Sequence, residues 1–324
     1  MAGRSGLDMT TRAALRAILN VRSDVQLMDQ PSLIPDAAAP GDPPVIAAAE
    51  QIERCALRPI VLSDPIVGFA AFLDGTQRAR VLAWPDGVPY VLGTVGAAIR
   101  VRRDRRLVTW DRGAAILEHR FYLPLQYLGG VGIPVDSHPV VDTTSADVGA
   151  RMPSRHPAAL LERAMQCVQR DRERVEQLLA VQWLEFGDGV LCADGPLPAE
   201  SGTRRSSSII GAVKTHRIIY ADGAMFPLVL SLRRGERSPA FSVATSAREP
   251  VMSWYLRTRD HGGRDALWGL VRIEAAMCDD VSHRADEVSK WLLAEASPLA
   301  LPDPRWDRMT YGIRDCESFL RAIS

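Results

Sequence analysis

The sequence predicts a mixed α/β protein, and three observations lead to this class. Between residues 60 and 127, short apolar runs separated by turn residues are typical of antiparallel strands. The stretch from Pro157 to Phe186 carries apolar residues at helical spacing. Further strand-like runs follow it, and two helical patterns cover residues 284–293 and 313–323. Because strands and helices do not alternate as regular βαβ units, we expect a mixed sheet with flanking helices.

Composition excludes several classes of protein. The 324 residues are 47% hydrophobic and 24% charged, as in soluble globular proteins. The 39 basic and 39 acidic residues cancel, so a nucleic-acid site would have to be a local basic patch. No run approaches the roughly 20 apolar residues of a membrane helix, and the first residues lack an apolar leader region. We therefore expect a cytoplasmic protein without a membrane association.

The five cysteines are scattered and form no C-x-x-C pair and no cluster with histidine. Neither a zinc site nor a disulfide framework is indicated. The sequence also contains no Walker P-loop, no dinucleotide-binding glycine motif, no H-E-x-x-H and no G-x-S-x-G. Nucleotide-driven, zinc-protease and serine-hydrolase functions therefore have no support.

We divide the chain into an N-terminal extension, residues 1–57, and a main domain, residues 58–324. The extension is predicted to contain two short helices, at residues 11–20 and 45–57, joined by a proline-rich linker at 30–44.

The main domain is predicted to begin with a β-meander. Its strands are Phe69 to Leu73, Arg78 to Trp84 and Val88 to Thr94, followed by a charged, exposed run from Arg100 to Trp110. Residues 129–153 are rich in glycine and proline and predict a loop.

A long helix and a short buried strand follow. Pro157 suits the first helical position, and Gly187 is a plausible stop. Val190 to Ala193 predicts a buried strand because no polar residue interrupts it. Asp222-Gly223 lies between two apolar runs, which predicts a hairpin turn there.

Two Asp-Gly pairs stand out among the five in the chain because each follows an apolar run. Asp74 ends the predicted strand from Phe69, and Asp194 ends the one from Val190. Turn formation alone explains an Asp-Gly dipeptide. Two strand-end carboxylates on neighbouring strands can also hold hard cations such as Mg²⁺ or Mn²⁺, which carry out phosphodiester cleavage.

The order of meander, helix and parallel strand is that of ribonuclease H-like folds, in which strand-end acids form such a centre. A further acid could come from the long helix, where Glu173, Glu176 and Glu185 are candidates. Glu176 borders the apolar stripe and is the leading one, although pairing with Arg172 one turn earlier would explain it equally well.

Basic residues concentrate just after Asp194. Arg204, Arg205, Lys214 and Arg217 could hold the phosphates of a nucleic-acid strand beside a carboxylate centre. We add Arg257, in a later strand-like run, to these predicted nucleic-acid-binding residues. A solvated basic loop is the alternative.

Several segments, taken in order, resemble the NurA nuclease family. They are Phe72-Leu-Asp-Gly-Thr76, Asp194-Gly-Pro-Leu197, Ile210-Gly-Ala-Val-Lys214, Ser238-Pro-Ala-Phe241, Ser253-Trp-Tyr-Leu-Arg257 and Gly269-Leu-Val-Arg-Ile-Glu274. The resemblance covers about residues 65–324, and the order of the short motifs is its most specific feature.

The resemblance implies a ribonuclease H-like, Mn²⁺- or Mg²⁺-dependent DNA nuclease that acts as a homodimer on a hexameric HerA-like ATPase. It implies that Asp74, Asp194 and Glu176 bind the metal. The family usually carries a C-terminal histidine, which is absent from Tyr311 to Glu317, so Asp315 is the candidate substitute. The family's usual Asp-Gly-Ser is Asp-Gly-Pro here. A catalytically inactive DNA-binding or scaffold subunit, and an unrelated α/β protein with ordinary Asp-Gly turns, are the alternatives.

Overall fold

The structure is a computed structural model that describes residues 44–104, 106–129, 138–145, 154–198, 201–245, 248–260, 266–296 and 310–324. These residues form a mixed α/β fold, as predicted, with one large sheet flanked by helices. The predicted helix at residues 11–20 lies outside the described residues.

Strands make up most of the described chain. They are Val45–Ala47 (β1), Glu50–Gln51 (β2), Ile60–Val61 (β3), Phe69–Ala83 (β4), Tyr90–Arg103 (β5), Arg106–Thr109 (β6), Ile116–Leu123 (β7), Val140–Asp142 (β8), Val190–Asp194 (β9), Ile209–Val213 (β10), Ile218–Tyr220 (β11), Glu236–Arg237 (β12), Phe241–Thr245 (β13), Arg248–Arg257 (β14) and Leu270–Ala275 (β15).

The helices differ greatly in length. They are Pro157–Phe186 (α1), Ser201–Arg205 (α2), Met225–Ser231 (α3), Val281–Glu295 (α4) and Tyr311–Ile323 (α5). The bounds predicted for α1 are confirmed: it starts at Pro157, and the Gly187 backbone N–H closes its last turn on the Trp183 carbonyl at 2.8 Å. None of the described helices is both long and apolar enough to cross a membrane.

The large sheet contains thirteen of the described strands, most of them in the order β2-β13-β14-β15-β10-β9-β4-β5-β7-β8. β3, β6 and β12 pair outside this path. β9 runs parallel to both of its neighbours, β4 and β10, whereas β4, β5 and β7 pair antiparallel. The sheet centre is therefore where an antiparallel meander meets two parallel strands.

Each face of the sheet has its own core. Val168, Val175 and Leu179 of α1 pack with Leu73 and Ala193 on one face. On the other face, α4 and α5 pack on a cluster that includes Phe72, Cys192 and Ile210. Because side chains alternate along a strand, Asp74 lies on the α5 side with Phe72, and Asp194 lies there with Cys192.

Four local predictions are wrong. β4 is a single strand of 15 residues that runs through Asp74-Gly75, so this dipeptide is not a turn. Residues 45–57 contain β1 and β2 instead of a helix. The apolar run after Asp222-Gly223 forms α3, so no hairpin exists there. The strand β8 also lies within the predicted loop at 129–153.

The N-terminal strands are joined to the main sheets. β1 pairs parallel with β11, and β2 pairs with β13. The Glu53 carboxylate binds Arg237 through two hydrogen bonds of 2.7 and 2.8 Å, and both side chains are buried. The division between residues 1–57 and 58–324 stays a prediction, although residues 45–53 pack as part of the same fold.

Candidate carboxylate centre

Asp74 and Asp194 lie side by side in the middle of the sheet. The register pairs Leu73 with Ala193, so each aspartate follows directly on neighbouring parallel strands, whose spacing is about 4.8 Å. Asp194 is the last residue of β9, as predicted. Asp74 is the sixth residue of β4 and not its end, which corrects the prediction of two strand-end acids. The centre forms because β9 stops at this level and β4 continues.

The Asp74 carboxylate is buried and only half satisfied. The residue is 4% exposed, and its Oδ1 accepts a hydrogen bond from the Gly75 backbone N–H at 2.8 Å. Its Oδ2 is buried without a hydrogen-bond partner among the described residues. Burial, followed by the nearby Asp194, raises the pKa of Asp74 well above its ordinary value. Such an oxygen is a vacant acceptor position for a cation or a proton.

Lys214 provides a positive charge inside the centre. β10 runs parallel to β9 and pairs Ala212 with Asp194, which places Lys214 just beyond the strand end. The Lys214 Nζ donates to Asp194 Oδ1 at 2.8 Å. Burial alone would lower the pKa of Lys214, but Asp194 and Asp74 raise it, so the ammonium stays charged. The prediction that Lys214 binds nucleic acid stays a prediction, but the structure places it among the acids.

Glu176 approaches from the opposite face of the sheet. A Cβ on Gly75 would lie 2.0 Å from Glu176 Oε1, so this glutamate rests directly on the β4 backbone. Burial raises the pKa of Glu176 to about 7, and Asp194 adds to the rise against the opposing effect of Arg172. Arg172 Nη1 donates to Glu176 Oε1 at 2.8 Å. Glu176 is therefore the partner of Arg172, as one interpretation of the sequence expects, and its charge also raises the pKa of Asp74. The interpretation of Glu176 as a metal ligand stays a prediction.

The C-terminal helix α5 carries two acids near the centre, and each already has an arginine partner. Asp315 accepts from Arg100 Nε at 2.5 Å, so an arginine of β5 already occupies this carboxylate. Glu317, two residues later, accepts from Arg314 Nη1 at 2.7 Å and adds to the raised pKa values of both Asp74 and Lys214. Sequence reasoning passed over Glu317, although it lies in the same segment. The negative charge of Glu317 is the only feature of the sequence that could have pointed to it. Only the orientation of the helix distinguishes Glu317 from Asp315.

A close contact fixes α5 on the sheet. A Cβ on Gly312 would lie 2.1 Å from the Phe72 ring, and Cys316 Sγ donates to the Phe72 carbonyl at 3.3 Å. Phe72 is two residues before Asp74 on the same face of β4. The helix therefore covers the centre from the α5 side and keeps Asp74 out of solvent.

The predicted basic residues are dispersed. Arg204 is 6% exposed and donates to the Glu249 carbonyl at 2.6 Å, whereas Arg205 is exposed and pairs with the Glu249 carboxylate. Arg217 is exposed near the start of β11. Arg257 is 0% exposed and donates to four backbone carbonyls, so the prediction that it contacts nucleic acid is wrong. Its role is to hold the segments around residues 230 and 267 together.

The donor chemistry of the centre suits an oxygen-preferring divalent cation. Asp74 and Asp194 are hard carboxylate ligands of the kind that Mg²⁺ and Mn²⁺ bind, and Asp74 Oδ2 lacks a partner in the described structure. Across the described ranges, no three His, Cys, Asp or Glu side chains are grouped closely enough to hold a metal ion. Asp74 and Asp194 by themselves therefore do not make up a metal site among the described residues, and metal binding at this centre stays a prediction.

Comparison with protein-family models finds no match for this chain, and comparison with curated proteins finds none either.

Proposed function

We propose that the chain is a metal-dependent DNA nuclease of the NurA type that hydrolyses phosphodiester bonds at the Asp74–Asp194 centre. The observation that carries the proposal is the buried, unpartnered Asp74 Oδ2 beside a second aspartate on a parallel neighbouring strand. Perturbed carboxylates grouped in this way are frequent at catalytic sites. The succession of the meander β4, β5 and β7, the helix α1 and the parallel strand β9 supports the ribonuclease H-like interpretation.

Each residue of the centre would have its own role in hydrolysis. Asp74 and Asp194 would hold Mn²⁺ or Mg²⁺, which when bound supplies Lewis acidity toward water and the phosphodiester. Glu176, with a pKa of about 7, would change its charge near neutral pH and so alter the proton affinity of Asp74 from the opposite face of the sheet. The Lys214 ammonium can donate to a phosphate oxygen. Helix α5 limits water access to Asp74.

The Lys214–Asp194 ion pair favours a second candidate function. A lysine bound 2.8 Å from Asp194 neutralises one of the two acids without a metal. The same chain could then serve as an inactive DNA-binding or scaffold subunit. The two functions differ in whether the wild-type chain digests DNA when Mn²⁺ is added.

The test is digestion of single- and double-stranded DNA by the purified chain with Mn²⁺ or with EDTA. Asp74→Asn and Asp194→Asn should each abolish metal-dependent cleavage. Asp86→Asn is the matched control, because Asp86 has a φ of 50°, which asparagine tolerates better than alanine. Because Asp74 is buried, the variants also need a thermal melt to show that they fold. Asp74→Asn and Asp194→Asn variants that are folded and as active as the wild type would contradict the proposed centre.

The proposal extends to partners on the strength of the NurA resemblance alone. We propose that the chain acts in the cytoplasm as a homodimer with a hexameric HerA-like ATPase that moves DNA to it. Size-exclusion chromatography of the co-expressed pair tests this association. A variant lacking residues 1–44 keeps β1, which starts at Val45, and should bind the ATPase more weakly. Separate elution of the full-length chain and the ATPase at micromolar concentration would refute the motor partnership.

A further inference from the structure

A polar strip of the sheet leads away from the carboxylate centre along β4. Ala79 and Val81 are buried in the core under α1, so alternation places Thr76, Arg78 and Arg80 on the opposite face, with Asp74. At 3.3–3.4 Å per residue, Arg78 and Arg80 lie about 13 Å and 20 Å along the strand from Asp74. The centre and these cations therefore share one face of one strand.

The neighbouring strands widen this strip. The register pairs Arg78 with Thr94 of β5 and Thr94 with His119 of β7. Thr94 Oγ1 and His119 Nδ1 are 2.9 Å apart, which confirms that their side chains share a face. We call Thr76, Arg78, Arg80, Thr94 and His119 the polar β4–β7 face.

Accessibility varies along the strip and is highest at Arg78 and His119. Asp74 is buried beneath α5, Thr76 and Arg80 are half-buried, and Arg78 and His119 are exposed. Within the part of the chain that the structure describes, the Arg78 side chain makes no hydrogen bond and no ion pair. A ligand lying on Arg78 therefore meets no intervening strand on the way to Asp74, although α5 covers Asp74 itself.

Charge indicates what kind of ligand fits. Asp74, Asp194, Glu176 and Glu317 make the centre acidic, and Lys214 is the only cation among the main influences on Asp74. A polyanion is repelled by such a centre unless cations hold it at a distance from the acids. Guanidinium groups at steps of about 6.7 Å along one strand can each contact a different phosphate.

We propose that the polar β4–β7 face binds the backbone of a single DNA strand whose scissile phosphate lies at Asp74. This inference rests on the proposed nuclease function and adds the path of the substrate. Arg78 and Arg80 contact phosphates beyond the scissile one. Thr76 and Thr94 supply hydroxyl donors between them.

The experiment compares a short phosphodiester that cannot contact Arg78 with a DNA strand that can. Bis(4-nitrophenyl) phosphate is too short to extend from Asp74 to Arg78, about 13 Å along the strand, whereas a single-stranded DNA 12-mer is long enough to span both. Arg78→Gln should lower kcat/KM on the 12-mer about threefold, as expected for an exposed ion pair. Turnover of bis(4-nitrophenyl) phosphate should stay unchanged. Arg80→Gln should act in the same direction.

Binding gives a readout that is independent of cleavage. In an Asp74→Asn background with Mn²⁺, fluorescence anisotropy of the labelled 12-mer should show a salt slope reduced by about one after Arg78→Gln. Arg54→Gln is the matched control, because Arg54 is exposed beyond β2, six strands from β4 and roughly 29 Å away. The control should leave both readouts unchanged.

Three results would overturn the proposal. They are an unchanged 12-mer affinity and salt slope in Arg78→Gln, an equal loss on both substrates, and an effect on duplex DNA without one on the single strand. Failure of the nuclease function would appear separately, as a lack of metal-dependent hydrolysis by the wild-type chain. The binding measurement would still report on Arg78 in that case.

Discussion

Replacing Glu176 by glutamine would measure how strongly the acids of the centre repel one another. Glutamine keeps the size of the side chain that rests on Gly75, and its carbonyl oxygen can still accept from Arg172. The substitution therefore removes the charge and little else. It also removes one of the carboxylates that raise the pKa of Asp74.

The magnitude follows from the pKa of Glu176, which rises from the ordinary value of 4.5 to about 7. One pH unit of difference between the folded and unfolded pKa corresponds to 1.36 kcal/mol, so the rise corresponds to roughly 3 kcal/mol. The folded state retains the proton to higher pH than the unfolded chain does. The contribution to stability is thus fully present below pH 4.5 and is lost as the pH rises through 7.

Urea denaturation in EDTA at several pH values between 5 and 8.5 checks this expectation. The wild-type free energy of unfolding should fall by about 2.5 kcal/mol more than that of Glu176→Gln over this range, because part of the effect is already lost between pH 4.5 and 5. Glu185→Gln, an exposed position on the same helix, should follow the wild type. Parallel curves for wild type and Glu176→Gln would refute the assignment of Glu176 to a repulsive centre.

Stabilisation of the folded chain by a divalent cation tests the same centre in a second way. If Mn²⁺ binds the folded centre at 100 times its dissociation constant, it stabilises the wild type by about 2.7 kcal/mol. This gain should be larger at pH 8 than at pH 5, because protons compete for the carboxylates. A pH-independent gain, or an equal gain in Asp74→Asn, would place the Mn²⁺ elsewhere.

Two substitutions test contacts that the centre and its surroundings require. Gly75→Ala places a Cβ 2.0 Å from Glu176 Oε1 and should cost about 1–3 kcal/mol in urea denaturation, a loss that Glu176→Ala should relieve in the double variant. Arg237→Met leaves the buried Glu53 carboxylate without its cation and should cost about 3–5 kcal/mol, whereas pairing it with Glu53→Gln should recover part of that loss.

The sequence predicted α1 and β9 well because their patterns are long or unambiguous. Thirty residues of helical periodicity between Pro157 and Gly187 leave little alternative, and the bounds agree with the structure. A short apolar run is ambiguous by nature. The run after Asp222-Gly223 predicts the second strand of a hairpin, but from Met225 it forms the helix α3. The dipeptide Asp74-Gly75 favours a turn locally, but pairing of β4 with both β5 and β9 overrides that preference.

From the sequence, only those site residues could be predicted whose position depends on a single strand. Asp74 and Asp194 were found from their own segments, whereas the position of Lys214 depends on the register between β9 and β10. The rotation of α5 about its axis decides which way its acids face, and the structure pairs Asp315 with Arg100 and Glu317 with Arg314. Contacts of this kind join residues more than 200 positions apart, as with Arg100 and Asp315, and no local pattern reports them.

A second buried acid in the same chain shows what a purely structural carboxylate looks like. Glu53 binds Arg237 through both oxygens, and its Oε2 also accepts from the Ala240 backbone N–H at 2.8 Å. Although burial acts to raise the pKa of Glu53, these hydrogen bonds lower it below its ordinary value. Asp74 has the opposite character, with a raised pKa and a buried Oδ2 that lacks a partner in the described structure. An unsatisfied buried acceptor costs about 1–3 kcal/mol. The fold thus satisfies the Glu53 carboxylate fully and leaves one oxygen of Asp74 without a partner among the described residues, and this difference is the physical basis for proposing that Asp74 binds a cation.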